Sequence, residues 1–127
     1  MADFTIPSLP PSMNKVYQII RLPGQPLRVE MTPEVRRWKT EAKEWIPKLT
    51  ATADSFTFRI DAVFHYNWYY KNGKMRKFDT QNLMKVLIDA VAEKNGIDDS
   101  YVKSGGWSSV HSTDKEFIVG KVACLSE

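Results

Sequence analysis

Acidic residues stand at both ends of one amphipathic segment near the middle of the chain. Asp79 precedes this segment, and the adjacent pair Asp98 and Asp99 follows it in a loop that begins at Gly96. Carboxylates brought together from a helix start and a distant loop can hold Mg²⁺ through one or two oxygens plus waters. A metal held in this way activates water and stabilises charge on a scissile phosphate. The same spacing is also typical of an ordinary amphipathic helix that ends in a solvated acidic loop.

Basic residues surround the first of these acids. Lys85 follows Asp79 by about one and a half helical turns, a position from which it could bind a phosphate or a leaving oxygen. Four further cations precede Asp79, namely Lys71, Lys74, Arg76 and Lys77. A basic rim around an acidic pocket attracts a polyanion and places a metal at its centre. Chance grouping of surface charges gives the same pattern, so this feature only supports a nucleic-acid hypothesis.

Other catalytic and binding classes lack the residues that they need. A lone cysteine, Cys124, excludes an intramolecular disulfide, and the absence of a Cys/His cluster argues against structural zinc. His65 and His111 have no partner motif for nucleophilic catalysis, and Gly105-Gly106 falls far short of a phosphate-binding loop. No secretory signal pattern is present, and no apolar run approaches the ~18 residues of a membrane span. We therefore expect a cytoplasmic protein without membrane attachment.

Hydrophobic periodicity predicts one domain of the α+β class over residues 1–127, with a mixed sheet packed against two main helices. The chain has 127 residues, of which 43% are apolar, enough for a single core. Alternating or short apolar runs predict strands over residues 4–6, 55–69, 107–110 and 117–125. Residues 16–21 and 27–31 flank a Pro-Gly turn and predict either a hairpin or a mobile arm. The Asn72-Gly73 pair predicts a tight hairpin after the long strand.

Two segments carry helical periodicity with start and stop signals. The first begins at Thr32-Pro33, ends near Trp45 ahead of Pro47, and has an apolar face formed by Val35, Trp38, Ala42, Trp45 and Ile46. Its basic residues, Arg36, Arg37, Lys39 and Lys43, fall on other faces, where they are either solvated or available to nucleic acid. The second has Thr80 as a plausible cap and ends at Asn95-Gly96. Its predicted core stripe is Leu83, Leu87, Ala90 and Val91.

Aromatic residues 66–70 end the long predicted strand. Such side chains can stack on nucleobases, as in proteins that bind single-stranded nucleic acid. Aromatic residues are equally common in strands for packing reasons. The sequence leaves both interpretations open.

Three separated stretches together resemble one family of nucleases. They are an N-terminal strand followed by PPSMN, the segment FDTQNLMKVLIDAV, and the loop GIDDSYV, in that order. On these stretches the chain resembles the RusA-type Holliday junction resolvases, small nucleases common in phages and prophages. The proline turn alone is a weak signal. The helix pattern D-x-x-N-x-x-K-x-x-x-D followed by G-x-D-D is fairly specific in combination.

The resemblance implies a fold, an activity and a site. It implies a RusA-like homodimer that binds four-way DNA junctions by shape and nicks two opposing strands with Mg²⁺, for which Mn²⁺ can substitute. The catalytic residues carried over are Asp79, Asp99 and Lys85. The metal ligands would be Asp79, Asp99, Asp98 and Gln81, supported by Asn82 and Asp89. The DNA-binding residues would be Asn14, Lys15, Lys74, Arg76 and Lys77.

Gln81 is the main departure from the family pattern, which has a second acid at this position. A neutral amide oxygen can ligate Mg²⁺ but removes one negative charge from the site. Three hypotheses follow: an active nuclease, a weak or Mn²⁺-preferring one, and a junction-binding protein that no longer cleaves. A domain that binds no nucleic acid is a fourth hypothesis. It predicts no salt-dependent DNA affinity, whereas the others predict an affinity that falls steeply with salt.

Overall fold

The computed structural model describes residues 2–11, 17–49, 56–77 and 79–126. The strands in this part of the chain are β1 (Ala2–Ile6), β2 (Tyr17–Ile20), β3 (Arg28–Met31), β4 (Phe56–Tyr66), β5 (Val102–His111) and β6 (Phe117–Ser126). The helices are α1 (Pro33–Ala42) and α2 (Thr80–Asn95), and a short 3₁₀ helix (Asp99–Tyr101) lies between α2 and β5. Neither α1 nor α2 is long and apolar enough to cross a membrane.

Four of these strands form a mixed sheet in the order β1-β6-β4-β5. β4 pairs in parallel with β5 and antiparallel with β6, which also pairs antiparallel with β1. A parallel pair needs a crossover connection, and α2 supplies it between β4 and β5. The fold is therefore the predicted α+β arrangement of one mixed sheet and two helices.

The core lies between the sheet and the helices. Alternate residues of β4, including Phe58, Ile60 and Phe64, are fully buried, while Arg59 between them is exposed. The predicted stripe of α2 is confirmed, because Leu83, Leu87, Ala90 and Val91 all have no solvent exposure. Packing of this stripe on the sheet leaves the opposite face of α2 for polar residues.

The two ends of α2 differ in how well they were predicted. The stop at Gly96 is confirmed: Gly96 has a left-handed φ of 66°, and the N–H of Ile97 donates to the carbonyl of Ala92 at 3.0 Å. The predicted cap, Thr80, is wrong, since Asp79 is the N-cap and Thr80 is the first helical residue. The hydroxyl of Thr80 is buried and forms a hydrogen bond of 2.9 Å with that of Tyr66 instead.

Helix α1 begins as predicted but ends earlier. Pro33 is the first helical residue, although the side chain of Thr32 makes no capping hydrogen bond. The helix ends at Ala42, and a turn follows in which the N–H of Trp45 donates to the carbonyl of Ala42 at 2.9 Å. Because the chain leaves the helical path there, Trp45 is 53% exposed rather than part of the apolar face.

Two hairpins complete the described fold. β2 and β3 pair antiparallel, which resolves the choice between a hairpin and an arm in favour of the hairpin. The turn at Asn72-Gly73 is also confirmed, with a left-handed φ of 83° at Gly73. The long predicted strand proves shorter, since β4 ends at Tyr66 and only an isolated bridge between Tyr69 and Met75 follows.

Candidate active site

A concave pocket of about 340 Å³ lies where α2 meets the start of β5. Its lining consists of Lys85, Ile88, Asp89, Asp99 and Val102. Three of these residues, Lys85, Asp89 and Asp99, were predicted for the site from the sequence. They come from two separate elements, the exposed side of α2 and the 3₁₀ helix, so only the tertiary fold brings them together.

Helix geometry places the polar residues of α2 on one stripe. Gln81, Lys85 and Asp89 are each four residues apart, a spacing that puts side chains on the same face one above another. Gln81 and Lys85 are exposed and Asp89 is half-buried. The position at which the family pattern has a second acid therefore lies on the same stripe as the lysine and Asp89.

Asp98 holds Asp99 in place at the start of the 3₁₀ helix. The Oδ1 atom of Asp98 accepts a hydrogen bond of 2.8 Å from the backbone N–H of Ser100, which caps this short helix. That bond, with others to the Ser100 side chain and Asp99, lowers the pKa of Asp98. Asp98, which the sequence assigned to the metal, caps the 3₁₀ helix that begins with Asp99.

Asp89 and Asp99 form a close pair of acids. Burial raises the pKa of Asp89, and the neighbouring charges of Asp99 and Glu93 and a hydrogen bond with Asp99 raise it further, while Lys39 opposes the shift. Two carboxylates that crowd each other in a partly buried pocket resist simultaneous ionisation. A divalent cation would relieve this repulsion, and carboxylate oxygens are the ligands that Mg²⁺ prefers. The donor set thus fits a hard metal ion.

Lys39 is a residue of this region that the sequence reasoning missed. It was placed on a solvated face of α1, but it is only 9% exposed, and its Nζ lies 3.0 Å from a carboxylate oxygen of Glu93. Lys43 also contacts Glu93, at 3.4 Å. The signal was present, because Lys39 follows Val35 by four residues and precedes Ala42 by three, on the inward stripe.

The acid pair gives a pH-dependent stability prediction. The pKa of Asp89 is higher in the folded chain than in the unfolded chain. Between these two pKa values the folded chain therefore binds more protons at Asp89, and the free energy of unfolding falls as the pH rises through this interval. We therefore expect Asp89→Asn to raise the urea midpoint at pH 7, and the gain to vanish near pH ~3, below the ordinary aspartate pKa.

Asp98→Asn is the matched control for this prediction. Its pKa is lowered in the folded protein, so the amide should reduce stability at neutral pH and have no effect in strong acid. Urea titrations of both variants at several pH values measure whether each substitution raises or lowers the free energy of unfolding. An Asp89→Asn variant that is less stable than wild type at pH 7 would show that attraction to Lys39 outweighs burial.

Asp79 lies at the start of α2, two residues before Gln81 and off the stripe. Its carboxylate caps α2, with Oδ1 accepting from the backbone N–H of Asn82 at 3.3 Å and Oδ2 accepting from the Asn82 side chain at 3.0 Å. Ten residues separate Asp79 from Asp89, which corresponds to ~15 Å along the helix axis. Within the described ranges, no three His, Cys, Asp or Glu side chains lie close enough to share a metal ion. The predicted grouping of Asp79 with Asp98 and Asp99 is therefore not seen in the described chain.

The predicted DNA-binding residues fall into two groups. Lys74 and Lys77 are exposed on the hairpin before α2, where Arg76 donates from its guanidinium to the carbonyl of Asn67 at 2.9 Å and to Glu116 at 3.4 Å. Asn14 and Lys15 lie outside the described residues.

This fold and this pocket define a small α+β domain with a lysine and two carboxylates at the junction of a helix and a sheet edge. The family model for the endodeoxyribonuclease RusA matches residues 10–119, which is most of the chain. The chain therefore belongs to the RusA family of endodeoxyribonucleases, and the resemblance found in the sequence is confirmed. A search of curated proteins finds no match to it.

Proposed function

We propose that this protein is a metal-dependent, structure-selective endodeoxyribonuclease that resolves four-way DNA junctions by paired nicks in opposing strands. The observation that carries the proposal is the convergence of Lys85, Asp89 and Asp99 in one pocket of a chain that belongs to the RusA family. A lysine beside a carboxylate pair supplies both a phosphate contact and a cation site.

Each residue of the pocket then has a separate role. Asp89 and Asp99 hold the divalent cation, and Asp98 keeps Asp99 oriented through its bond to Ser100. Mg²⁺ suits these oxygen ligands, and Mn²⁺ can substitute for it. The cation supplies an activated water and neutralises charge on the phosphate. Lys85 binds the scissile phosphate or the leaving oxygen. Asp79 supports the reaction from the start of α2, outside the pocket.

The substrate geometry calls for a homodimer. Paired nicks in two opposing strands require two sites related by a two-fold axis, which one copy of this chain does not supply. We therefore propose that residues 1–127 form one domain of a symmetric dimer in the bacterial cytoplasm, where recombining host or phage DNA provides four-way junctions.

A nicking assay on a labelled four-way junction tests the proposal, run with Mg²⁺, with Mn²⁺ and with chelator, beside a linear duplex of the same sequence. Paired, metal-dependent nicks confined to the junction are the expected result. Random cutting of the duplex would show a nuclease without structural selectivity. Absence of salt-sensitive DNA binding would favour an interaction domain that does not bind nucleic acid.

A junction-binding protein with weak or no cleavage is the second candidate, and Gln81 is the observation that favours it. Gln81 is exposed on the stripe of Lys85 and Asp89, where the amide contributes no negative charge. We expect Gln81→Asp to raise the Mg²⁺-dependent nicking rate, because it restores the acid of the family pattern and adds negative charge that attracts a cation to this stripe.

Gln81→Asn is the control for this variant, since it shortens the side chain without adding charge. Single-turnover nicking across a Mg²⁺ titration measures both variants against wild type. A rate that is the same in all three proteins would mean that the charge at this position does not limit the site.

A further inference from the structure

An eleven-residue segment, 67–77, forms a hairpin between the end of β4 and the start of α2, here called the aromatic hairpin. Tyr69 and Met75 form a bridge, and the N–H of Tyr70 donates to the carbonyl of Lys74 at 2.8 Å. The N–H of Arg76 donates to the carbonyl of Trp68 at 2.6 Å. The two arms are thus paired along most of their length.

Side chains make the turn rigid as well. The Asn72 Oδ1 atom accepts from the N–H of Lys74 at 3.0 Å, and the Asn67 Oδ1 atom accepts from the N–H of Tyr69 at 2.9 Å. Gly73 supplies the left-handed residue that closes the turn. A hairpin held in this way presents its outer side chains in a fixed geometry, so little conformational entropy is lost when they bind a partner.

Those outer side chains are unusually apolar. Tyr69, Tyr70 and Met75 are 40%, 53% and 59% exposed. The ring of Tyr69 is supported at its edge by His111, with centroids 5.2 Å apart at 74°. An ordered projection with three exposed large apolar side chains is typical of a binding surface.

The charge of the aromatic hairpin selects the partner. It contains Lys71, Lys74, Arg76 and Lys77 and no acidic residue. A partner must therefore combine negative charge with flat apolar surface, which is the chemistry of unstacked nucleobases on a phosphate backbone. Bases beside a branch point have lost a stacking neighbour and gain most from an aromatic platform.

Two features connect the hairpin to the rest of the site. Lys77 ends it two residues before Asp79, and the hydrogen bond between Tyr66 and Thr80 ties its base to the first turn of α2. Beside it lies a cavity of about 310 Å³ lined by Tyr66, Trp68, Met75, Arg76 and Ser109.

We propose that the aromatic hairpin recognises the branch point of the DNA, with Tyr69 and Tyr70 stacking on bases that lose a stacking neighbour where the junction opens. Lys71 and Lys74 hold the flanking phosphates. The inference rests on the proposed junction-resolving function and adds to it the element that distinguishes a junction from a duplex.

Paired substitutions test the stacking role. Tyr69→Ala, Tyr70→Ala and the double variant are compared with Tyr69→Phe and Tyr70→Phe, which keep the rings. Trp45→Ala is the matched control, because Trp45 is as exposed as Tyr70 and precedes Pro47, which contacts Asn95 at the opposite end of α2. Far-UV circular dichroism and thermal melting confirm that each variant is folded.

The readouts are the Kd for a four-way junction, the Kd for a linear duplex, and the fluorescence of 2-aminopurine placed at the branch point. Loss of one stacking tyrosine is expected to weaken junction binding about tenfold. Duplex binding should stay unchanged, and the fluorescence response to binding should disappear in the double alanine variant. The phenylalanine and Trp45 variants should match wild type.

The outcomes separate this inference from the function on which it rests. Alanine variants that bind the junction as tightly as wild type, or that lose junction and duplex affinity equally, overturn the role of the hairpin alone. Wild-type protein that does not prefer the junction over the duplex overturns the proposed function and, with it, branch-point recognition.

Discussion

Replacing Asp99 by asparagine is expected to abolish junction nicking while junction binding stays the same or becomes tighter. The amide keeps the size of the side chain but removes a negative charge from the pocket that it shares with Lys85 and Asp89. Loss of residues that merely support a metal ligand costs about 10- to 100-fold in activity, so loss of a ligand should cost at least about 100-fold. DNA binding is not weakened, because the carboxylate that the substitution removes repels the phosphate backbone.

The effect of Asp99→Asn can also be measured through the pKa of Asp89. Asp99 is one of the groups that raise the pKa of Asp89, so the pKa of Asp89 should fall towards its ordinary range in the variant. The ¹³C carboxyl chemical shift of Asp89, followed by NMR across pH, measures this change in the metal-free protein. A purely remote role for Asp99 would leave that titration where it is in wild type.

Asp3→Asn is the control for Asp99→Asn. It makes the same chemical change on β1, the strand at the opposite edge of the sheet from β5. Single-turnover nicking and gel-shift titrations at fixed salt should show wild-type behaviour for this control. If Asp99→Asn lost junction binding together with nicking, Asp99 would be a structural residue and the pocket would lose its assigned role.

The parts of this fold that the sequence predicts well are those fixed by local rules. The core stripe of α2 and its stop at Asn95-Gly96 follow from periodicity and from the left-handed preference of glycine. The turn at Asn72-Gly73 has the same origin. Each of these features depends on residues within a few positions of one another, so no tertiary information is needed.

Lys39 and Trp45 show where local rules fail. Both positions are decided by what packs against α1: the acidic Glu93 on α2 draws Lys39 inward, and the early end of the helix at Ala42 leaves Trp45 outside. A periodic pattern assigns charges to the surface and aromatics to the core by type alone. The spacing of Lys39 marks it as inward, but assignment by residue type overrides that spacing, and the acidic partner on another helix is not visible to a local rule.

Lys85, Asp89 and Asp99 line one pocket, while the role of each residue in a reaction stays a prediction. The sequence placed acids at both ends of α2 and expected them to meet. A helix of 16 residues is rigid and ~24 Å long, so its ends do not approach each other. After Gly96 the chain brings Asp99 into the pocket lined by Lys85 and Asp89, and Asp79 is not among the residues that line it.

Asp79 can be tested by two substitutions that separate its capping from its chemistry. Asparagine is as good an N-cap as aspartate, whereas alanine removes the cap and costs about 1 kcal/mol of stability. Asp79→Asn should therefore unfold in urea close to wild type, and Asp79→Ala should be less stable by that amount. Both are expected to lose junction nicking by about 10- to 100-fold, because Asp79 lies ~15 Å along the helix axis from Asp89 and supports the site without binding the same cation.

The comparison of the two variants decides what Asp79 does, because capping and charge predict different rankings. A role in capping alone predicts that Asp79→Asn nicks like wild type, since its amide oxygen still accepts the hydrogen bond from Asn82. A role of the carboxylate in the reaction predicts that both variants fail equally despite their different stabilities. Urea unfolding and single-turnover nicking on the same preparations distinguish the two, and activity in Asp79→Asn would remove Asp79 from the site.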